Sequence, residues 1–510
     1  MKKVFASALS IVAGVAIAGT AVATESTSLI KELTALAVEH PEDANIRVRL
    51  GSMLRQMGYE DQGQQWLAEA AAIDPSLDLT NAGELSETVT VRGGSGPDVW
   101  VCTLPGVSNW GNSGGFYAYS IATTSANAGN QNLQWVQNSN FHPVIGQNLY
   151  QWYDGRFRQV GQSWLKHGFC ALQNSGCGSC QPAGGGCVSA LGPGCADPYG
   201  SGLNGSQSLL GPKHEVNPTT GIFSWPHATP SGGNSNRGRL LVPNADAIPT
   251  NSGASYWVEG QYIHPQDSQT TGQEASLNNV TYAATTMSSN GSRSLSFPTP
   301  TFGMQPAMNA WQGVDPSVEI RLIEADGYFY VGSSATDLGG GTWLYQYNVF
   351  NLDSMNGCDS VFVNHGAGVN VSNMDMHTPG WHSGTVYNNT PWNTMSSRGS
   401  GTGWSVNTPS ANDNRVRWAT MYSFTFEADT EPEMGTVTLG IPGSGTMDVS
   451  LHVPAAGSSC DADYNGDGAV DGGDLAALLA GWGMAGTDLS GDGTTDGSDL
   501  AILLAAWGPC

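Results

Sequence analysis

The sequence predicts a multidomain, mainly β protein: a central β domain, then a β-sandwich, with a small helical piece ahead of them and two loop-then-helix repeats at the carboxyl end. Three observations predict it. Charged residues make up 12% of the chain, against roughly 25% in ordinary soluble domains, while the 68 glycines are about twice the usual share, a turn-rich profile. From about Val89 to residue 455, short alternations of apolar and polar residues recur between clusters of Gly, Asn and Pro, which is the period-two signature of strands. The composition also shifts at both ends, with helical spacing in residues 24–84 and one motif written twice in residues 460–510. Sixteen Trp, sixteen Tyr and thirteen Phe supply more core material than a disordered chain carries.

At the amino end, Lys2 and Lys3, the apolar run 4–18 and the small-residue site Ala21, Val22, Ala23 read as a secretory signal peptide, residues 1–23. That predicts bacterial-type export, a mature chain starting near Thr24, and a secreted or cell-surface location. No later stretch has the apolar length of a spanning helix, so no membrane span is expected in the mature chain. The formal charge of -25 argues against nucleic acid or an anionic membrane as partner, because both select basic patches. In residues 24–84, Gly51, Gly58, Leu67, Ala71 and Pro75, with Ala37 and Pro41 one 34-residue period earlier, resemble the tetratricopeptide pattern. About one and a half repeats cannot bury their own stripe. The segment therefore reads as a helical hairpin capping its neighbour, with self-pairing or capture of a partner segment as alternatives.

Residues 85–311 form the cysteine-containing β domain, with strands expected at 88–91, 99–103, 116–121, 255–263 and 279–286 and one helix near 163–172. Its coil holds Cys170, Cys177, Cys180, Cys187 and Cys195. Four of these, Cys177, Cys180, Cys187 and Cys195, could bind zinc as thiolates, but export favours disulfides. With Cys102 and Cys358 the count outside the tail is odd, leaving one thiol free or paired between chains. His142, His167 and His214 could hold copper or zinc if the fold gathers them. Asp154, Asp197, Glu215, Glu259 and Glu274 include enough carboxylates for the pair a glycosidase needs. Trp110, Trp135, Trp152, Trp164 and Trp257 could stack on sugars, although tryptophans of β proteins more often belong to the core. Nucleophile-elbow, zinc-protease and phosphate-loop motifs are absent from the sequence; Gly161-Gln162-Ser163 lacks the second glycine of the elbow.

Residues 312–455 read as the sandwich, with strands at 318–323, 328–333, 343–350, 359–364, 416–426, 436–439 and 447–453. Tyr328, Trp343, Tyr345, Tyr347, Arg417, Trp418 and Tyr422 give it a likeness to a sandwich module of uncharacterised secreted bacterial proteins, a resemblance that brings no catalytic residues. Asp375, His377 and His382 crowd one loop there, where a surface or structural role outweighs chelation. A flexible lead follows at 454–459.

The tail carries the most specific motif. Asp463, Asn465, Asp467, Ala469, Asp471 and Asp474, then Asp488, Ser490, Asp492, Thr494, Asp496 and Asp499, occupy positions 1, 3, 5, 7, 9 and 12 of two twelve-residue loops. Calcium takes about six to eight oxygens, which alternate side chains and the position 7 carbonyl supply, and Gly468 and Gly493 stand at the sharp turn of position 6. After each loop, Leu475, Leu478, Leu479, Trp482 and Leu500, Leu503, Leu504, Trp507 predict short helices whose stripes bury against each other. Cys460 and Cys510 bracket the module, and a disulfide there would contribute roughly 4 kcal/mol. Residues 460–510 resemble a type I dockerin. The resemblance implies two bound calcium ions, an EF-hand-like fold that depends on them, and docking to a cohesin-like or cell-surface protein. In that family the loop pair at positions 10 and 11, here Gly472 and Gly473, then Gly497 and Ser498, contributes to partner choice. The chain thus reads as a secreted modular protein held to a partner by its tail, its β domains binding or structural. The alternative is a dockerin-borne hydrolase acting on polysaccharide.

Overall fold

The computed structural model describes residue 47, residues 60–73 and residues 96–510 apart from 233, 271–272, 297–300, 367, 382–384, 398–400, 456–461, 466–468 and 510. The expected signal peptide, most of the tetratricopeptide-like segment, the strand at 88–91, His382, Cys460, Asp467, Cys510 and the side chain of Glu274 lie outside the described residues. The chain is mainly β and divides into two compact units, Met1–Pro316 with His382–Thr385, and Ser317–Trp381 with Val386–Cys510. Among the described residues no helix is long and apolar enough to cross a membrane.

In the first unit, helix α1 (Glu60–Ile73) buries Trp66, Leu67 and Ala70. The domain after it is one curled sheet of eleven strands: β1 (Val99–Ser113), β2 (Phe116–Asn127), β3 (Val144–Tyr153), β4 (Arg156–Gln162), β5 (Leu165–His167), β6 (Ala196–Tyr199), β7 (Leu210–Gly211), β8 (Leu240–Pro243), β9 (Ser255–Ile263), β10 (Val280–Thr285) and β11 (Thr301–Phe302). The order is β1-β2-β8-β4-β3-β9-β10-β11, with β5 on β3, β7 on β5 and β6 on β2. The hairpin between β3 and β4 turns at Asp154-Gly155, both with positive φ, as the mirror-image turn of a two-residue hairpin requires. The sheet curls back on itself. Gly260 on β9 leaves only 3.0 Å between a would-be Cβ and Leu104 Cδ2, and Thr281 Oγ1 donates to the Val101 carbonyl at 2.5 Å.

Strand β9 is buried almost throughout on both faces. Tyr256, Val258 and Tyr262 join the inner core with Val101, Ile121, Leu149 and Trp135. On the opposite face Trp257 and Glu259 lie under the segment carrying the short helix Ala310–Val314, where Trp311 stacks on Phe157 and Phe157 on Tyr150. Glu259 Oε1 accepts from Asn148 Nδ2 and Tyr150 OH, and Oε2 from the Ala307 N–H at 2.7 Å, which ties the cover to the sheet.

The expected helix at 163–172 is instead the strand β5 followed by coil. Lys166 and His167 pair with β3, Leu165 and Lys166 with β7, so the segment is needed as an inner strand. The buried Lys166 ammonium donates to the Ser206 and Ser208 carbonyls. The coil cysteines form Cys102–Cys177, Cys170–Cys187 and Cys180–Cys195, which removes the zinc alternative.

The second unit contains a sandwich of two antiparallel five-stranded sheets. One holds β12 (Glu319–Glu324), β13 (Tyr328–Gly339), β14 (Thr342–Asn351), β16 (Val371–His377) and β19 (Thr420–Ala428), and the other β15 (Ser360–Val363), β17 (Asn393–Ser397), β18 (Gly401–Ser405), β20 (Pro432–Ile441) and β21 (Gly445–Pro454). Their orders are β12-β13-β14-β19-β16 and β17-β18-β15-β20-β21. Phe329, Tyr345, Tyr347, Phe424 and Phe426 of the first sheet meet Val361, Trp404, Leu439 and Leu451 of the second. Asp413 gathers Arg415 (2.6 Å) and Arg417 (2.9 Å), and the Arg417 guanidinium lies 4.2 Å from the Tyr387 ring centre. Burial works against the Asp413 charge, but the hydrogen bonds and charges of its partners outweigh it and hold the carboxyl below its usual range.

Cys358 is buried in the sandwich core, and burial pushes its thiol up to about 12, so little thiolate forms at neutral pH. Iodoacetamide should leave the Cys358 peptide unlabelled in the native chain and label it fully in denaturant without reductant, as read by mass spectrometry. Native labelling at the same rate would contradict this packing.

Candidate functional site

The tail builds its two loops by backbone hydrogen bonding. Asp471 and Asp496 cap the helices α2 (Gly472–Ala480) and α3 (Gly497–Ala505), accepting from Gly473 N–H and Ser498 N–H. Asp474 and Asp499 complete each capping box and reach back across their loops. Asp474 Oδ1 accepts from Tyr464 and Asn465 N–H and Oδ2 from Asp471 N–H; Asp499 repeats this with Leu489, Ser490 and Asp496. These donors hold both carboxyls below their ordinary range. Asp488, at position 1, accepts from Gly491 and Gly493 N–H, which turns the loop about it, and Gly493 has φ +96°. Ser490 Oγ donates to Asp488, and Asp492 accepts from Thr494 N–H. The all-oxygen donor set, in this order along the turn, fits a hard cation chemically. Among the described residues no three His, Cys, Asp or Glu side chains stand close enough to hold a metal.

Each loop is fastened to the other repeat. Ala469 and Val470 pair with Gly508 and Pro509 after α3, while Thr495 exchanges hydrogen bonds with Gly483 and Met484 after α2. The mutual burial expected of the stripes holds for only half of them. Leu478 and Leu503 are fully buried, with Leu475 and Leu500 packed against them. Leu479, Trp482, Leu504 and Trp507 remain 46–52% exposed, because two nine-residue helices meet along one narrow line.

In the first unit, two of the three histidines singled out meet. His142 Nε2 lies 3.0 Å from His167 Nδ1. The third imidazole is His227, stacked on His167 at 4.2 Å, with Phe223 and Trp225 completing the cluster; His214 sits instead in the short turn Lys213–Glu215. Carbonyls only accept, so Val136 O places the proton on His142 Nδ1, His167 Nδ1–H donates to His142 Nε2, and Ala228 O takes His227 Nδ1–H. His167 and His227 are left with bare Nε2 atoms. Only glycine fits at 211, where a Cβ would stand 2.8 Å from His167 Nε2. Burial pulls His142 down to about 4 and, with the charges of His227, His142 and Lys166, drives His167 further still. Nothing in the sequence spacing points to His227.

The acids singled out are engaged separately. Asp154 sits in its hairpin turn, Asp197 accepts from Leu172 N–H, Glu215 from Ala228 N–H and Glu259 in the buried network. Burial lifts Asp197 to about 7. The carboxyls that meet are Asp98 and Asp267, far apart in sequence. Trp135, Trp164 and Trp257 are core; Trp110 and Trp152 are half-buried, and Arg239 lies over the Trp110 ring at 3.8 Å. Asp375 and His377 are part of strand β16 and not of a loop.

No family model matches the chain, and no curated protein matches it. Among solved structures, the serine-rich repeat adhesion glycoprotein Srr1 of Streptococcus agalactiae aligns at 9% identity over 66% of this chain and 89% of that one, with a TM-score of 0.17. The exo-chitosanase CsxA of Amycolatopsis orientalis aligns at 8% identity over 65% of this chain and 25% of that enzyme, with a TM-score of 0.14. A BSP domain of a biofilm associated protein aligns at 10% identity over 80% of this chain and 66% of that one, at 0.13. Scores this low carry no argument about function.

The histidine cluster sets a pH dependence. A folded pKa depressed below the unfolded value gives stability that is complete above about 6.5 and lost as pH falls toward the folded value, by roughly 1.4 kcal/mol per pH unit for each such group. Replacing His142 with Gln should therefore flatten the fall in urea-unfolding stability between pH 6.5 and about 4. An unchanged slope would show that His142 titrates normally.

Proposed function

We propose that the chain is a secreted modular protein whose calcium-folded, dockerin-like tail attaches it to a partner protein, its β domains serving as binding or structural units. The observation that carries this reading is the duplicated half-exposed surface of the tail. Leu479 and Trp482 on one repeat, Leu504 and Trp507 on the other, occupy equivalent places and stay in contact with water. Large apolar side chains left out at matched positions suit a protein interface better than a self-contained fold. Calcium would be held by Asp463, Asn465, Asp467, Asp471 and Asp474 with the Ala469 carbonyl, and by Asp488, Ser490, Asp492, Asp496 and Asp499 with the Thr494 carbonyl. The metal supplies charge neutralisation that fixes the loops and thereby sets the helices. Three disulfides in the first unit support passage through an oxidising compartment.

The test uses the full chain. The paired substitution Asp463→Ala and Asp488→Ala should remove two equivalents of calcium uptake in titration calorimetry. An immobilised cohesin domain should retain the chain in calcium and release it in EGTA, and Trp482→Ala with Trp507→Ala should cut retention at least tenfold without changing calcium uptake. Aspartate substitutions that fail to lower calcium uptake by two equivalents, or retention indifferent to EGTA, would rule the reading out.

A further inference from the structure

Four buried polar side chains meet on the outer face of the first unit's sheet. Gln162 on β4 pairs with Asn148 on β3, and Asn148 pairs with Glu259 on β9, so the three stand in a row on one face with neighbouring Cβ atoms about 5 Å apart. The fourth, Lys213, comes from the short turn Lys213–Glu215 just beyond β7. Its Nζ donates to Gln162 Oε1 at 3.0 Å, and the charge of Glu259 also reaches it. All four side chains belong to residues at most 3% exposed. Tyr150, whose hydroxyl donates to Glu259 Oε1, stacks on Phe157 and Phe157 on Trp311, an apolar wall that excludes water.

An ammonium and a carboxylate are costly to keep charged at this depth, and passing the proton across leaves both groups neutral. Burial pulls Lys213 down to about 7 against the attraction of Glu259 and lifts Glu259 above its usual range, the direction of that transfer. A neutral, desolvated lysine amine is a nucleophile. An amide is a poor electrophile in dilute solution, but a reactant fixed beside it removes the entropic part of the barrier. Of the two amides in the row, Gln162 orients the amine through its carbonyl oxygen, while Asn148 rests its nitrogen on Glu259 Oε1 at 2.8 Å. Asn148 lies between Gln162 and Glu259, the two groups that the amine addresses. Its nitrogen is thus placed to receive a proton and leave.

We propose that Lys213 and Asn148 join in an isopeptide bond, formed by the chain itself with Glu259 as the proton carrier. The Nζ lone pair attacks Asn148 Cγ, the Cγ–Nζ bond forms and the Cγ–Nδ2 bond breaks. Glu259 takes one proton from the attacking nitrogen and hands one to the leaving nitrogen, which departs as ammonia. An amine and a primary amide thus become a secondary amide and ammonia, with no oxidant or outside reactant, and Glu259 ends as it began. The bond ties β3 to the segment after β7 and closes the chain from 148 to 213 into a covalent loop, which narrows the unfolded ensemble as a disulfide does. Unlike the three disulfides, it survives reductant. It is independent of the tail and of calcium.

The experiment uses the full chain, reduced and alkylated in denaturant and then digested with trypsin. Tandem mass spectrometry should find Lys213 uncleaved and its peptide branched to the peptide holding Asn148, at their summed mass less one ammonia. Folded Glu259→Gln and Asn148→Ala chains should yield both peptides linear. Should either variant fail to fold, the map of the unsubstituted chain decides by itself. Linear peptides in that map overturn the proposal, as does loss of ammonia without a branch, which marks ring closure of Asn148 on its own backbone. A branch from Lys213 to Gln162 overturns the choice of acceptor, and a branch retained by folded Glu259→Gln overturns the role of the carboxyl.

Discussion

A sheet that is buried on both faces must be roofed twice, and the first unit has little regular structure with which to do it. The inner face of β9 closes on the curl of its own sheet. The outer face is covered by irregular chain, whose backbone polar groups each need a partner once water is excluded. Irregular chain also meets the sheet on its inner side, and buried polar side chains of both faces serve this need. Glu259 accepts from the Ala307 N–H, Lys166 donates to the Ser206 and Ser208 carbonyls, and Asp197 accepts from the Leu172 N–H. This is why so many of the buried polar groups of a weakly charged protein lie in one domain, and why burial moves their protonation so far.

The sandwich uses such devices too, with Arg415 and Arg417 reaching backbone carbonyls beside Asp413, but its strands are easier to read from the sequence. Its seven expected strands all lie in or beside real ones, because one face is core and the other polar, and the alternation is written plainly. Strand β9 was placed to the residue by its length and its Gly, Ser and Pro flanks. Failures have specific causes. The 163–172 segment carries apolar residues at helical spacing, but its neighbours β3 and β7 needed a strand, and tertiary pairing overrode the local pattern. Strands β16, β17 and β18 are polar or glycine-rich and gave no alternation to find.

Sites divide the same way. The two loop-then-helix repeats of the tail are legible because their pattern is contiguous and repeated. His227 beside His167, or Asp98 beside Asp267, depends on chain segments brought together from afar, and no spacing encodes that. Within the tail, the exchange of short ladders between the two repeats was equally invisible: each loop is completed by residues that follow the other helix. A single repeat would thus have neither its β partner nor its buried leucine, which accounts for the duplication in physical terms.

The three disulfides overlap in sequence, Cys102 to Cys177, Cys170 to Cys187 and Cys180 to Cys195, each span beginning before the previous one ends. Any single cut of the backbone from 102 to 195 therefore falls inside at least one bridge, and the severed ends stay covalently joined. Where this cysteine-bearing coil meets a protease, one cleavage within it cannot release a fragment.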